Sequence, residues 1–410
     1  MRTPQKPFPS YKWRWADVTP TESLNDPPIF LGILRVLGAN EGQKFSSEGI
    51  YEGLRVVERE NETSVTLARS PDRNLFRNSA RYWRAFGLLD NSVRRGEIRL
   101  TPFGRKLADG DLTQVEFATT IIKTLELPNR RIQNDVEIWD QAGLRFKPFE
   151  IILDIISALQ ERLGIGQAFI TPKELIRIII PLAGDHGRLE EYVEAIALYR
   201  AGELDVSTWP DCAPAANDRR MAREFLLFLA NYGFCETIST GSNWEEQYFL
   251  SSISAYEIDQ LYDIPVAEEE TDLERIERII RDSQIPASVE RKRVARDVLS
   301  RPYQREFRRN VLDAYRSTCL ITGVQHDTVL EAAHIRPVKY KGSDQVINGI
   351  CMRVDIHRLF DANHLRIRPD GRIQLSEQAR REINYGFLPS TIQIPHFVDT
   401  EQLSWRMRYY

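Results

Sequence analysis

What this 410-residue chain has little of narrows its class first. It has four cysteines, Cys212, Cys235, Cys319 and Cys351, and no two form a C-x-x-C pair. Neither a disulfide framework nor a cysteine-ligated zinc knuckle is indicated. Net charge is also scarce. Lys and Arg number 55 against 59 Asp and Glu, which leaves −4, so affinity for a polyanion must come from local patches. No apolar run reaches the roughly 20 residues of a membrane-spanning helix. The opening MRTPQKPFPSYKWRW is polar and broken by proline, unlike a secretory leader. A cytoplasmic protein without a membrane segment is expected. With 42% hydrophobic and 28% charged residues, the composition is globular, and the length predicts two to four domains.

What is there concentrates in Leu330–Asp361, LEAAHIRPVKYKGSDQVINGICMRVDIHRLFD. It holds His334, Asn348 and His357 in that order, with Asp361 one helical turn after His357. An imidazole at a strand end can take a proton from water, and an amide can hold that imidazole in one orientation. A His and a carboxylate four apart share a helix face, where both can grip a divalent cation. A general base beside a metal, near a basic surface, is apparatus for phosphodiester hydrolysis. Asn348-Gly349 is also an ordinary turn signal, and Asp361 can serve as a plain helix-end residue. His326 and His364 fall outside the pattern and are expected to be solvated loop residues.

LEAAHIRP, then NGI, then D-x-H-x-L-F-D resembles the HNH nuclease domain, the ββα-metal finger of many restriction endonucleases. The resemblance extends upstream through FRRNVLDAYRSTCLITG (Phe307–Gly323) and covers roughly the last quarter of the chain. It implies that His334 is the general base, that Asn348 fixes the loop orienting it, and that His357 is a metal ligand. Asp361 sits where many relatives place a second ligand. The ion implied is divalent, Mg²⁺ or Mn²⁺. One departure matters: the acid or His that often precedes the base is here Ala333. Asp355 is a possible substitute ligand, but two residues before His357 it points off another helix face.

Ahead of this region the sequence predicts helical modules. Residues 1–26 read as an arm whose Trp13 and Trp15 either dock on the domain behind or reach DNA or a second subunit. Residues 27–141 and 142–263 each read as helices followed by a hairpin, the winged-helix plan of DNA readers. The third helices align without gaps. Asp72-Arg73 falls on Asp218-Arg219, Arg77 on Arg223, Tyr82 on Phe228, Phe86 on Tyr232 and Gly87 on Gly233, which suggests an internal duplication. Arg73, Arg77, Arg219 and Arg223 could contact phosphates or base edges, or pair with neighbouring carboxylates. In Leu107–Gln141, expected to be helical packing, Lys123 and Asn129–Arg131 could face DNA or solvent, and solvent is expected.

Residues 264–300 read as a charged helical linker. From Val289 to Arg316, nine basic side chains outnumber four acidic ones, a local charge near +5 that includes Arg305, Arg308 and Arg309. Such a run would neutralise phosphates. Residues 301–410 form the expected HNH domain, with a hairpin over Leu365–Leu375 and a terminal amphipathic helix over Thr400–Tyr409. The expectation is an α+β, multidomain, sequence-specific and restriction-like DNA endonuclease, dependent on a divalent metal and without a nucleotide cofactor. One HNH site cuts one strand, so a double-strand break would call for a homodimer. Two alternatives stay open: a modification-dependent nuclease with Trp83 or Trp244 caging a flipped base, and a DNA-binding regulator with an inactive finger.

Overall fold

A computed structural model describes residues 2–15, 24–63, 65–69, 75–90, 96–251, 302–381, 385, 386 and 388–410. The first helical unit holds α1 (Pro27–Ala39), α2 (Glu48–Asn61) and α3 (Phe76–Ala85). Lys44 bridges to Glu97 and Leu89 to Leu100, both antiparallel. The order is therefore helix, extended residue, two helices and a small hairpin. Then come α4 (Pro102–Asp109), α5 (Gln114–Thr124) and α6 (Val136–Gln141). Thr101 and Thr113 cap α4 and α5 with their hydroxyls, which satisfies backbone donors that a helix start leaves open.

The second unit follows a similar order with one further helix. It runs α7 (Pro148–Leu163), β1 (Phe169–Ile170), α8 (Pro172–Glu174), a π-helical stretch Leu175–Ile179 and α9 (Ile180–Gly184). After α10 (Leu189–Arg200) and α11 (Ala216–Asn231) come β2 (Cys235–Ile238) and β3 (Gln247–Leu250). The sheet order is β1-β3-β2, all antiparallel. Thr171 and Glu174 form the capping box expected from the sequence. The aligned glycines do the same work in both units: Gly87 and Gly233 have φ of +71° and +85°, where a side chain would be strained.

The two units share one continuous core, and residues 2–15 help build it. Trp15 is 0% exposed. Its ring meets Phe86 of the first unit at 5.1 Å and Phe149 and Phe225 of the second at 5.4 and 4.8 Å. The aligned third helices meet directly, with Phe86 and Phe228 5.5 Å apart. Of the readings open for Trp13 and Trp15, docking on the domain behind is the one observed, because burying both indoles is worth more than leaving them in water. Lys123 and Asn129 also leave the solvent assigned to them. Lys123 pairs with Glu150 at 3.5 Å, and Asn129 donates to the Trp15 and Ala85 carbonyls at 3.0 Å each.

The linker 264–300 lies outside the described residues. Beyond it come α12 (Pro302–Ala314), β4 (Leu330–His334), β5 (Gly349–Arg353) and α13 (Val354–Asp361). The expected hairpin follows as β6 (Leu365–Ile367) and β7 (Ile373–Leu375), then α14 (Glu377–Arg381) and α15 (Thr400–Tyr409). This region has its own core around Val311, Ile350, Ile356 and Phe360. α15 joins the two bodies. Its Leu403 belongs to the nuclease-region core, whereas Trp405 and Tyr409 belong to the helical one. Among the described residues, no helix is long and apolar enough to cross a membrane.

Candidate active site

β4 and β5 pair antiparallel with His334 opposite Gly349. Both α12 and α13 pack on β4. Phe307 of α12 lies flat on the His334 ring, centroids 3.9 Å apart and planes within 12°. Glycine at 349 makes this possible, because a β-carbon there would press on Phe307 and Val311. Nε2 of His334 lies 2.9 Å from Asp344 Oδ1. The imidazole is thus held by a face and an edge. Burial pushes its pKa below the ordinary 6.5, against the raising effect of Asp344. Asp361 and His357, on the helix packed against this strand, also act on the ring electrostatically.

Asn348 is 1% exposed and ties the loop that follows His334. Its Nδ2 donates to the Arg336 and Ser343 carbonyls at 3.0 and 2.8 Å, and its Oδ1 accepts from Arg336 N at 2.9 Å. The Asn348 carbonyl accepts from Ile335 N at 2.9 Å. The side chain works as a three-point staple, far more than a turn residue.

On α13, His357 Nε2 lies 3.2 Å from Asp361 Oδ2. On the other side, His357 Nδ1 lies 2.7 Å from Glu331 Oε2. With the Glu331 carboxylate to accept a proton from Nδ1, Nε2 could turn its lone pair to a cation shared with Asp361. Sequence reasoning missed Glu331, and a signal was present. It lies two residues before Ala333, hence on the same strand face, and Ala333 itself is buried in the core. Asp355 is bound by Arg353 Nε and Nη2 at 2.6 and 2.7 Å. Asp344, Phe307 and Arg406 were also missed: Asp344 falls between the spaced elements, and Phe307 and Arg406 lie before and after them.

Among the described residues, no three His, Cys, Asp or Glu side chains are grouped to hold a metal ion. The donor pair of His357 Nε2 and Asp361 suits a cation that keeps much of its water shell, as Mg²⁺ does. It does not suit a closed structural zinc site.

The remaining arginines are dispersed. Arg73 lies outside the described residues, and Arg77 and Arg305 are placed by backbone alone, on α3 and α12. Arg219 turns back on the Pro214 carbonyl at 2.9 Å. Arg223 pairs with Glu246 at 2.8 Å. Arg308 donates to the Leu330 carbonyl at 3.0 Å, while Arg309 is exposed on α12. The expectation for His364 is corrected: it is 4% exposed and bonded to Ser376 Oγ at 2.8 Å. His326 is exposed, as expected. Trp83 is buried and stacked on Phe30 at 5.4 Å, which removes it from any base-holding cage.

No curated protein matches the chain. A family model described as HNH endonuclease matches residues 319–368, which span β4, β5, α13 and β6 and carry His334, Asn348, His357 and Asp361. Together with the geometry of those side chains, this match identifies an HNH endonuclease domain in the C-terminal part of the chain.

Proposed function

We propose that this protein is a sequence-specific, divalent-metal-dependent DNA endonuclease of restriction type, in which the helical half reads DNA and the HNH domain cuts it. The observation that carries the reading is His334, held by Phe307 and Asp344 at the end of β4, with the His357–Asp361 pair on α13, the helix packed on that strand. With an acceptor at Nε2, the neutral His334 ring keeps its proton there and its lone pair at Nδ1. Nδ1 then takes the proton of a water that attacks the phosphorus in line, and the 3′ oxygen leaves. A divalent cation held by His357 Nε2 and Asp361, Mg²⁺ or Mn²⁺, would supply charge stabilisation at the phosphate.

The similar order of helices in the two units, with a β1-β3-β2 sheet, supports a winged-helix reading of the helical half. It supports DNA recognition as the job of that half. Arg309 is the favoured phosphate contact of the predicted set. Arg219 and Arg223 are engaged within their own unit. Cleavage of both strands would take two copies of the chain, and a symmetric pair would read a palindromic site.

The test is digestion of a long DNA of known sequence with added Mg²⁺, followed by mapping of the fragment ends. Discrete ends at one repeated sequence are expected. His334→Ala should cut roughly 10²–10⁴-fold more slowly while still shifting DNA in a gel. Ends scattered at random would sink the sequence-specific reading, and full-rate cutting by His334→Ala would remove His334 as the base.

A further inference from the structure

The family match ends at residue 368, yet one side chain that touches both halves of the site comes from α15, well beyond it. Arg406 is 4% exposed. Its Nη1 donates to the Ile335 carbonyl at 2.8 Å and reaches the His334 carbonyl at 3.4 Å. Its Nη2 donates to the Phe360 carbonyl and stands 3.8 Å from Asp361 Oδ1. The guanidinium lies over the Phe360 ring, 3.8 Å from its centre. One planar fork therefore spans the end of the strand that bears His334 and the last turn of the helix that bears His357 and Asp361.

The carbonyls it chooses are informative. Phe360 lies in the last turn of α13, and its carbonyl accepts from Asn363 N at 3.1 Å as well as from Arg406. The strand β4 ends at His334, so the next carbonyls leave the ladder. At the strand end the guanidinium supplies the donor, and at the helix end it adds a second, charge-assisted bond. A guanidinium offers five N–H groups in fixed directions, whereas an ammonium is a single point donor. Taking a charge this deep is costly unless it is hydrogen-bonded, and here both terminal nitrogens are bonded while Nε has no partner among the described residues.

We infer that Arg406 is a positioning residue for cleavage: by holding carbonyls from both elements, it fixes the spacing between His334 and the His357–Asp361 pair. The inference deepens the nuclease reading and rests on it. Arg406 acts through backbone and does not touch the reacting atoms.

Three variants test it. Arg406→Lys keeps the charge and most of the length, and Arg406→Met keeps the length alone. Leu403→Ala opens a cavity under the same helix without touching those carbonyls. Each is assayed below its own melting temperature, where circular dichroism shows it folded. The Arg406 variants should lose roughly 10–100-fold in kcat with KM for DNA little changed, and their Kd for Mn²⁺ should rise by about tenfold. That Kd is read from free Mn²⁺ by electron paramagnetic resonance, without DNA. Leu403→Ala should keep both values despite a comparable fall in melting temperature. Wild-type kcat and Mn²⁺ affinity in Arg406→Lys would overturn the inference, and so would equal losses in Leu403→Ala. Arg406→Lys decides alone if Arg406→Met does not fold. A wild-type chain that neither cuts DNA nor binds Mn²⁺ would instead sink the nuclease reading, leaving the inference nothing to act on.

Discussion

The imidazole of His334 depends on neighbours that the motif does not contain. Because burial lowers its pKa, the ring is neutral at pH 7 and ready to accept a proton. The acid limb of kcat/KM should therefore lie below pH 6.5. Asp344 works in the opposite direction, raising that pKa. Asp344→Ala should move the limb to still lower pH and cost roughly tenfold in kcat through loss of ring orientation. A pH–rate profile that does not move would refute this role. Asn348→Ala removes three loop bonds and should cost about 3 kcal/mol in a denaturant titration, at about 1 kcal/mol each. The buried His364 has a pKa lowered to about 4 by burial. The unfolded chain, with a His near 6.5, binds more protons between those values. The contribution of His364 is therefore complete above pH 6.5 and is lost as pH falls toward 4, by about 3 kcal/mol. His364→Gln should flatten that slope. At this scale His334, Asn348, His357 and Asp361 were legible because their order and spacing are local. Asp344, Phe307 and Glu331 were not, since they enter through loop closure, helix docking and strand alternation.

At the scale of elements, what was legible follows the same division. The capping box at Thr171, the paired glycines at 87 and 233 and the gapless match of the third helices are carried by short stretches of chain, and each predicted its element. Docking was harder to foresee. The arm containing Trp13 and Trp15 left two outcomes open in the sequence, since indoles beside Lys12 and Arg14 suit DNA as well as a core. The structure places Trp15 between Phe86 of the first unit and Phe149 and Phe225 of the second. Lys123 and Asn129 were misassigned for the same reason, because the groups that satisfy them, Glu150 and the Trp15 and Ala85 carbonyls, are remote in sequence. The consequence is measurable. Trp15→Ala should cost about 3–5 kcal/mol, and both units should lose stability together in a single calorimetric transition. If the two units unfolded at separate temperatures in that variant, the shared core would not be what joins them.

At the scale of the molecule, the helical half and the nuclease domain meet through side chains that flank the candidate site. Glu60 at the end of α2 accepts at its carbonyl from Trp405 Nε1 at 3.1 Å and from Arg336 Nη2 at 3.4 Å. Lys341, in the loop after His334, pairs with Glu62 at 2.5 Å, and Arg408 pairs with Glu60 at 2.9 Å. Tyr409 seats against Gly32 of α1, where a β-carbon would collide with its ring. These contacts bypass residues 252–301. If the helical half reads DNA as proposed and these contacts hold while DNA is bound, its distance from the cutting site is set by this interface and owes nothing to the length of chain between the halves. Inserting ~10 flexible Gly/Ser residues between positions 251 and 302, which would add a random-coil spacer, should therefore leave the mapped cut positions unchanged. Weakening the interface with Trp405→Ala in the same lengthened chain should spread the ends over several nucleotides. Cut positions that shift with the insertion alone would mean that the connector sets the reach and that the interface opens on DNA.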